Sequence, residues 1–199
     1  MYMLRVVISG PSGSGKGTIV QELIKYKNYK LSISATTRAK RKTEEDGVHY
    51  FFKTIDEFKQ MIEQDELLEY TEFCGNFYGT PKSFVDKTIQ DGFDILLEIE
   101  VNGALNIKEK YHDAILIFII PPTFTKLKDR LIQRNTETTE VINYRLTRAK
   151  EELKLFKEYD YIIVNDDLDQ AIKQINTIVE SEKLRSFRQK EVIEKMLNN

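Results

Sequence analysis

Cysteine occurs once and histidine twice in the 199 residues of this chain. A single cysteine closes no internal disulfide, and with two histidines it does not readily build a zinc site. A disulfide scaffold is therefore set aside. His49 and His112 have no partner spacing for a metal and are expected to be structural or exposed; Cys74 is expected to be incidental and half-buried. An excess of one charge is also missing. Thirty Lys+Arg against 32 Asp+Glu leave a formal charge of -2, so no global basic field is present for gripping DNA or RNA, and anion binding must be local. Long apolar runs are absent: the longest, Ala114 to Ile120, is far too short to span a membrane. Nor does the chain open on a charged start followed by an apolar stretch and a cleavage site. The expectation is a protein of the reducing cytoplasm, with no nucleic-acid or membrane partner. No internal repeat or low-complexity tract is visible. What remains is 41% hydrophobic and 31% charged residues, enough to bury a core in one large domain or two small ones.

Strand-like apolar runs alternate with helical patterns. Leu4–Ser9 ends at Gly10, and Gly15–Lys27 then carries Ile19, Val20, Leu23 and Ile24 on one helical face. Phe93–Ile99, Ala114–Ile120 and Tyr161–Val164 are nearly continuous in hydrophobicity, as a parallel sheet covered on both faces requires. Pro121 and Pro122 stop their strand sharply. The fold class is α/β, with right-handed crossovers. Two segments differ in texture. Residues 34–84 hold short polar-aromatic strands (50–52, 67–73, 76–79) around one helix, whose start is marked by a capping box from Thr54 to Glu57. Residues 124–144 are charged and helical. The remaining residues, 1–33, 85–123 and 145–199, read as the core. The last apolar stripe predicts a helix from near Asp167 to about Ser181, and the charged tail 182–199 reads as its continuation or a second helix.

Gly10, Pro11, Ser12, Gly13, Ser14, Gly15, Lys16, Gly17 and Thr18 lie between the first strand and the first helix. Gly-x-x-x-x-Gly-Lys in that context is a phosphate loop. Glycines let the backbone wrap a phosphate with its N–H groups inward, and the following helix N-terminus adds positive potential. Lys16 reaches between the β- and γ-phosphates of a nucleotide. The next residue is Gly17, not Ser or Thr, so the hydroxyl that commonly binds magnesium is missing or displaced to Thr18. Magnesium held through water is the expected consequence. Such a loop implies a nucleotide but leaves the reaction open among GTPases, ATPases and small-molecule kinases.

Ser34, Arg38, Arg41 and Glu44 open the first insertion. Two arginines three apart behind hydroxyls form a compact anion clamp, although alone they fit a solvated loop equally well. Tyr50, Glu69, Tyr78, Gly79 and Thr80 follow. Tyrosine hydroxyls complete a phosphate clamp, and a carboxylate accepts from two adjacent N–H donors, which guanine offers and adenine does not. Half-buried strand aromatics and an exposed strand carboxylate are the plainer alternatives. Glu98 and Glu100 are two apart on what reads as one strand, facing one side at its carboxyl end.

These segments, with 134–138 and 164–167, occur in the order and spacing of the guanylate kinases, and the chain resembles that P-loop kinase family from residue 4 to about 180. The resemblance implies a three-layer core, a GMP-binding insertion at 34–84, a helical lid at 124–144, and transfer of the γ-phosphoryl of ATP to GMP or dGMP with Mg2+. It places Arg38, Arg41, Tyr50 and Tyr78 on the GMP phosphate, with Ser34, Glu69 and Thr80 on guanine. Glu98 and Glu100 stand where the family has acidic residues near GMP and magnesium, commonly aspartates. Asn102 and Asn135 also depart from the family, which often has Gln and Gly there. Lys16, Arg41, Arg134 and Arg145 fall at the transferring group with Arg130 beside them, and Asn165 and Asp166 by the adenine. Arg148 shares a helical face with Arg145 but has an equally plain reading as part of a salt-bridged surface. GMP phosphate is already a nucleophile, so no catalytic base is needed. Two other readings stay open: a P-loop kinase with another small acceptor such as AMP, and a non-catalytic module of the same fold that binds phosphopeptides. A GTPase is disfavoured by the lack of a guanine-reading Asn-Lys-x-Asp.

Overall fold

The fold is seen in a computed structural model, which describes residues 2–26, 28–73, 75–133 and 138–198. In chain order, β1 (Arg5–Ser9) leads through the phosphate loop into α1 (Lys16–Leu23) and β2 (Tyr29–Leu31). Residues 35–81 then form β3 (Ala35–Thr36), β4 (Phe51–Phe52), α2 (Ile55–Glu63), β5 (Leu67–Phe73) and β6 (Asn76–Pro81). The chain continues as α3 (Lys82–Gln90), β7 (Asp94–Glu98), α4 (Val101–Lys110), β8 (Ile115–Ile120), α5 (Phe124–Gln133), α6 (Thr139–Lys154), β9 (Tyr161–Val164), α7 (Leu168–Lys183) and α8 (Lys190–Leu197).

One sheet has the order β2-β7-β1-β8-β9 and is parallel throughout. Its strands read as continuous apolar runs because successive side chains enter opposite cores. Val6, Ile8, Leu96, Ile115, Ile117 and Ile119 pack with Ile19, Val20 and Leu23 of α1 and Ile172, Ile175 and Val179 of α7. Val7, Ile95, Leu97, Leu116 and Phe118 pack on the other face with Val85 of α3 and Val101, Ala104 and Ile107 of α4. This is a three-layer α/β core. β2, α3 and α4 carry no strong motif and emerge only in the structure.

The second sheet, β4-β3-β6-β5, is mixed: β3 pairs parallel with β4, while β6 is antiparallel to β3 and β5. Helix α2 covers it, with Phe58 stacked on Phe77 at 5.5 Å between ring centroids. The capping box at its start is formed: Glu57 N donates to Thr54 Oγ1 at 3.2 Å and Thr54 N to Glu57 Oε2 at 2.7 Å.

Some boundaries shift. Helix α1 starts at Lys16 and stops at Leu23, because Gly15 is its N-cap with φ 93° and is not a helical residue. The strand expected over 93–99 stops at Glu98, and Glu100 is the N-cap of α4. Glu98 and Glu100 therefore do not share a strand. Asp167 caps α7 by accepting from Gln170 N at 2.7 Å. The tail turns through a short 3-10 segment, 186–189, into α8 rather than extending α7. Buried Lys183 pairs with buried Asp94 at 2.7 Å, and Arg188 with Glu182 at 3.2 Å, which ties this end of the chain to the main sheet. Among the described residues, no helix is long and apolar enough to cross a membrane.

Candidate functional site: a cleft between the two sheets

The carboxyl ends of β1, β2 and β7 face the second sheet across a cleft of about 430 Å³. Ligands of open α/β sheets bind at such ends. Gly10, Ser12 and Lys16 line one end, and Ser34, Arg38, Arg41, Glu44, Tyr50, Glu69, Tyr78 and Gly79 line the other; Glu98, Glu100 and Arg145 stand between.

At the phosphate-loop end, Gly10 has φ 145°, and a Cβ there would collide with the Ile119 carbonyl of the neighbouring strand. Only glycine lets the loop leave the sheet at this point. Lys16 Nζ donates to Gly10 O at 2.5 Å and Pro11 O at 3.2 Å, so the loop's own carbonyls hold the ammonium over it. Arg145 of α6 donates to Ser12 Oγ at 2.8 Å. Ser14 of the loop is buried, and its carbonyl accepts from Asn165 Nδ2 at 2.8 Å and Arg130 Nη1 at 3.2 Å. Arg130 also donates to Asn165 O at 2.9 Å. Asn165 and Arg130 thus brace the phosphate loop from behind, and Asp166 is exposed beside them. Arg134, Asn135 and Cys74 lie outside the described residues.

At the other end, Glu69 on β5 is buried, and its Oε1 accepts from Thr80 Oγ1 on β6 at 2.8 Å. Burial pushes its carboxyl up to about 7, with Glu100 adding repulsion against the lowering from the Thr80 hydrogen bond. Arg38 forks onto Glu44 at 2.7 and 3.0 Å, and Arg41 N donates to Glu44 at 2.8 Å. The Arg38 hydrogen bond holds the Glu44 carboxyl down at about 2. Arg38 also lies 5.3 Å from the Tyr50 ring centre, and Tyr50 meets Tyr78 edge-on at 6.3 Å. Glu44 therefore fixes Arg38, and through Arg38 and Tyr50 the cluster extends to Tyr78 on β6.

For a divalent metal, the donor set is sparse. No group of three or more His, Cys, Asp or Glu side chains converges among the described residues. Glu98 stands next to the phosphate loop: a Cβ built on Gly17 would lie 3.5 Å from Glu98 Oε1. One carboxylate beside a glycine suits a hydrated magnesium carried mainly by nucleotide phosphates. Thr18 is exposed at the start of α1 and is not among the residues lining the cleft. Glu100 instead pairs with Arg148 at 2.9 Å.

Residues to which the sequence assigned no site role also line the cleft: Ser32, His49, Thr71 and Glu152. The Ser32 hydroxyl is buried without a hydrogen-bond partner. Its signal was present, since it stands two residues before Ser34 and faces the same side in extended chain. Glu152 is seven residues after Arg145, on the same helical face.

A cleft with a phosphate loop at one end and a buried carboxylate behind an arginine and tyrosine cluster at the other fits two phosphate-bearing ligands. Comparison with known proteins gives the lineage. Residues 2–182 match the family described as Guanylate kinase. The guanylate kinase of Halalkalibacterium halodurans is 49% identical over 186 residues, covering 93% of this chain and 91% of its own. That of Streptococcus mutans is 47% identical over 197 residues, covering 98% and 94%. Among solved structures, guanylate kinase from Anaplasma phagocytophilum superposes with a TM-score of 0.78 at 31% identity, covering 94% of this chain and 89% of that one. With the family's sequence matched over nearly all its length and the family's fold around the cleft, the chain belongs to the guanylate kinases.

Proposed function

We propose that this chain transfers the γ-phosphoryl of ATP to GMP or dGMP, giving ADP and GDP or dGDP. The observation that carries this is the opposition of Lys16 and the phosphate loop to buried Glu69 across one cleft. ATP takes the phosphate-loop end and GMP the second sheet. An oxygen of the GMP phosphate attacks the γ-phosphorus in line, the bond to the β–γ bridging oxygen breaks, and ADP leaves with that electron pair. No base is required, so catalysis is positioning and charge. Lys16, Arg145 and Arg41 supply positive charge along the path, with Arg134 assigned there by sequence. Arg38, Tyr50 and Tyr78 grip the acceptor phosphate, while Glu69, Ser34 and Thr80 read guanine. Glu98 would stand beside magnesium carried in with the nucleotide, and that ion would supply positive charge against the charge developing on the phosphates.

Residues 34–84 form the GMP-binding unit and 124–144 the lid of a core made by the rest. The setting is the cytoplasm and its purine nucleotides.

The test is a coupled ADP-release assay with ATP, magnesium and GMP, AMP, CMP or UMP. Turnover with GMP alone is expected. Lys16→Ala lowers kcat by about 100-fold or more, and Glu69→Ala raises the GMP KM. Turnover with AMP at the GMP rate would overturn the guanine assignment. Binding of GMP or a phosphopeptide with no turnover would overturn the kinase.

A further inference from the structure

Arg148 and Glu152 stand on the cleft face of α6 with Arg145, at spacings of three and four residues. Arg145 reaches the phosphate loop at Ser12. Arg148 reaches the opposite way. Its Nη2 donates to Glu100 Oε2 at 2.9 Å, and its Nε donates to Glu152 Oε1 at 2.9 Å. The Glu152 side chain is 14% exposed and that of Glu100 39%.

A shielded carboxylate is out of place in a cleft that must admit phosphates. It repels them, and it loses hydration: burial pushes the Glu152 carboxyl above its ordinary range despite Arg148 and Lys16 nearby. Geometry accounts for its presence. A guanidinium is a rigid plane, so fixing Nε on Glu152 fixes where the Nη2 edge points, and it points at Glu100. A lysine ammonium has no second edge with which to do this. Glu100 is the N-cap of α4, and its charge is felt by buried Glu69. The three side chains thus run from the helix that carries Arg145 to the acceptor end of the cleft.

We propose that Glu152 and Arg148 are positioning residues for the acceptor: Glu152 orients Arg148, and Arg148 holds the Glu100 carboxylate in register with GMP. This rests on the proposed function and on the family resemblance, which puts Glu100 at an acidic position near GMP.

The experiment is steady-state kinetics on the full chain with melting temperature measured alongside, for Arg148→Ala, Arg148→Lys, Glu152→Ala, Glu152→Gln, the double alanine variant and Glu100→Ala. Arg148→Ala and Glu152→Ala each raise the GMP KM by about three- to tenfold and leave the ATP KM unchanged. The double variant is no worse than the worse single one, because both break one chain of contacts. Arg148→Lys behaves like Arg148→Ala, and Glu152→Gln, which keeps an acceptor for Nε, falls between alanine and wild type. Effects that multiply in the double variant, an equal rise in the ATP KM, or a lower melting temperature with an unchanged GMP KM would each overturn the proposal. Glu100→Ala separates the two layers. If it raises the GMP KM while the Arg148 and Glu152 variants do not, the positioning role alone fails. If it leaves the GMP KM unchanged, the acceptor role of Glu100 fails and this inference with it.

Discussion

Glu69 is the residue whose environment most changes its chemistry. In the unfolded chain it ionises at the ordinary glutamate value, whereas burial in the fold holds its proton up to about 7. Between those two values the folded state binds more protons, so Glu69 makes the empty protein less stable as pH rises through that window. Guanine presents two N–H donors and needs the carboxylate. GMP affinity is therefore expected to climb as pH rises towards about 7 and to level off above it, with proton release on binding from neutrality downwards. Calorimetry in buffers of different ionisation enthalpy reads that release, and Glu69→Gln removes it while leaving the contribution of the GMP phosphate itself. Identical proton release in the wild type and Glu69→Gln would refute the assignment. The residue type was legible in the sequence because guanine's donor pair calls for a carboxylate. The raised ionisation was not, because it depends on what covers Glu69: α4 comes from more than thirty residues further along the chain.

At the scale of elements, the junction of β7 and α4 decides where the acidic residues point. Alternation along one strand put Glu98 and Glu100 side by side. The chain instead leaves the strand at Glu98 and starts a helix at Glu100, which separates them: Glu98 stands by the phosphate loop and Glu100 by Arg148. The same helix brings Gly103 against Glu69, where an added Cβ would lie 2.5 Å from Oε2 and 3.1 Å from Cδ. Gly103→Ala therefore sets two effects against each other. Helix propensity favours alanine by about 1 kcal/mol, while the methyl displaces the guanine-reading carboxylate. The expected outcome is an unchanged or higher melting temperature with a GMP KM raised at least about tenfold, measured by thermal melts and the coupled assay. A GMP KM at the wild-type value would show that Glu69 need not sit where this contact puts it. Local signals served well where the chemistry is local, as in the capping box at Thr54 and the N-cap at Asp167. They were silent on β2 and β3, which are three and two residues long and exist because neighbouring strands pair with them.

For the whole molecule, the two sheets and α6 enclose the cleft from three sides, with Arg145 and Arg148 of α6 reaching two of its walls. A transfer enzyme has to exclude water from the γ-phosphate, or it hydrolyses ATP. The insertion 34–84 and the segment 124–144 are therefore expected to close on the core when both substrates bind. Small-angle scattering with GMP and a non-hydrolysable ATP analogue should show a smaller radius of gyration than the protein alone. An unchanged radius would count against closure.

Periodicity, turn residues and the phosphate loop are short-range properties, so the chain by itself determined the α/β class, the loop that holds phosphate and most of the main strands along the chain. Its spacing also placed Arg145 and Arg148 on one helical face. What they touch was decided only by the tertiary structure. Arg130 and Asn165, assigned by sequence to ATP, support the loop from behind, and Arg148 joins two carboxylates half a hundred residues apart. Contacts of that kind depend on how separate elements pack. A charged side chain on a helix face carries no local mark of whether a partner will be there to meet it.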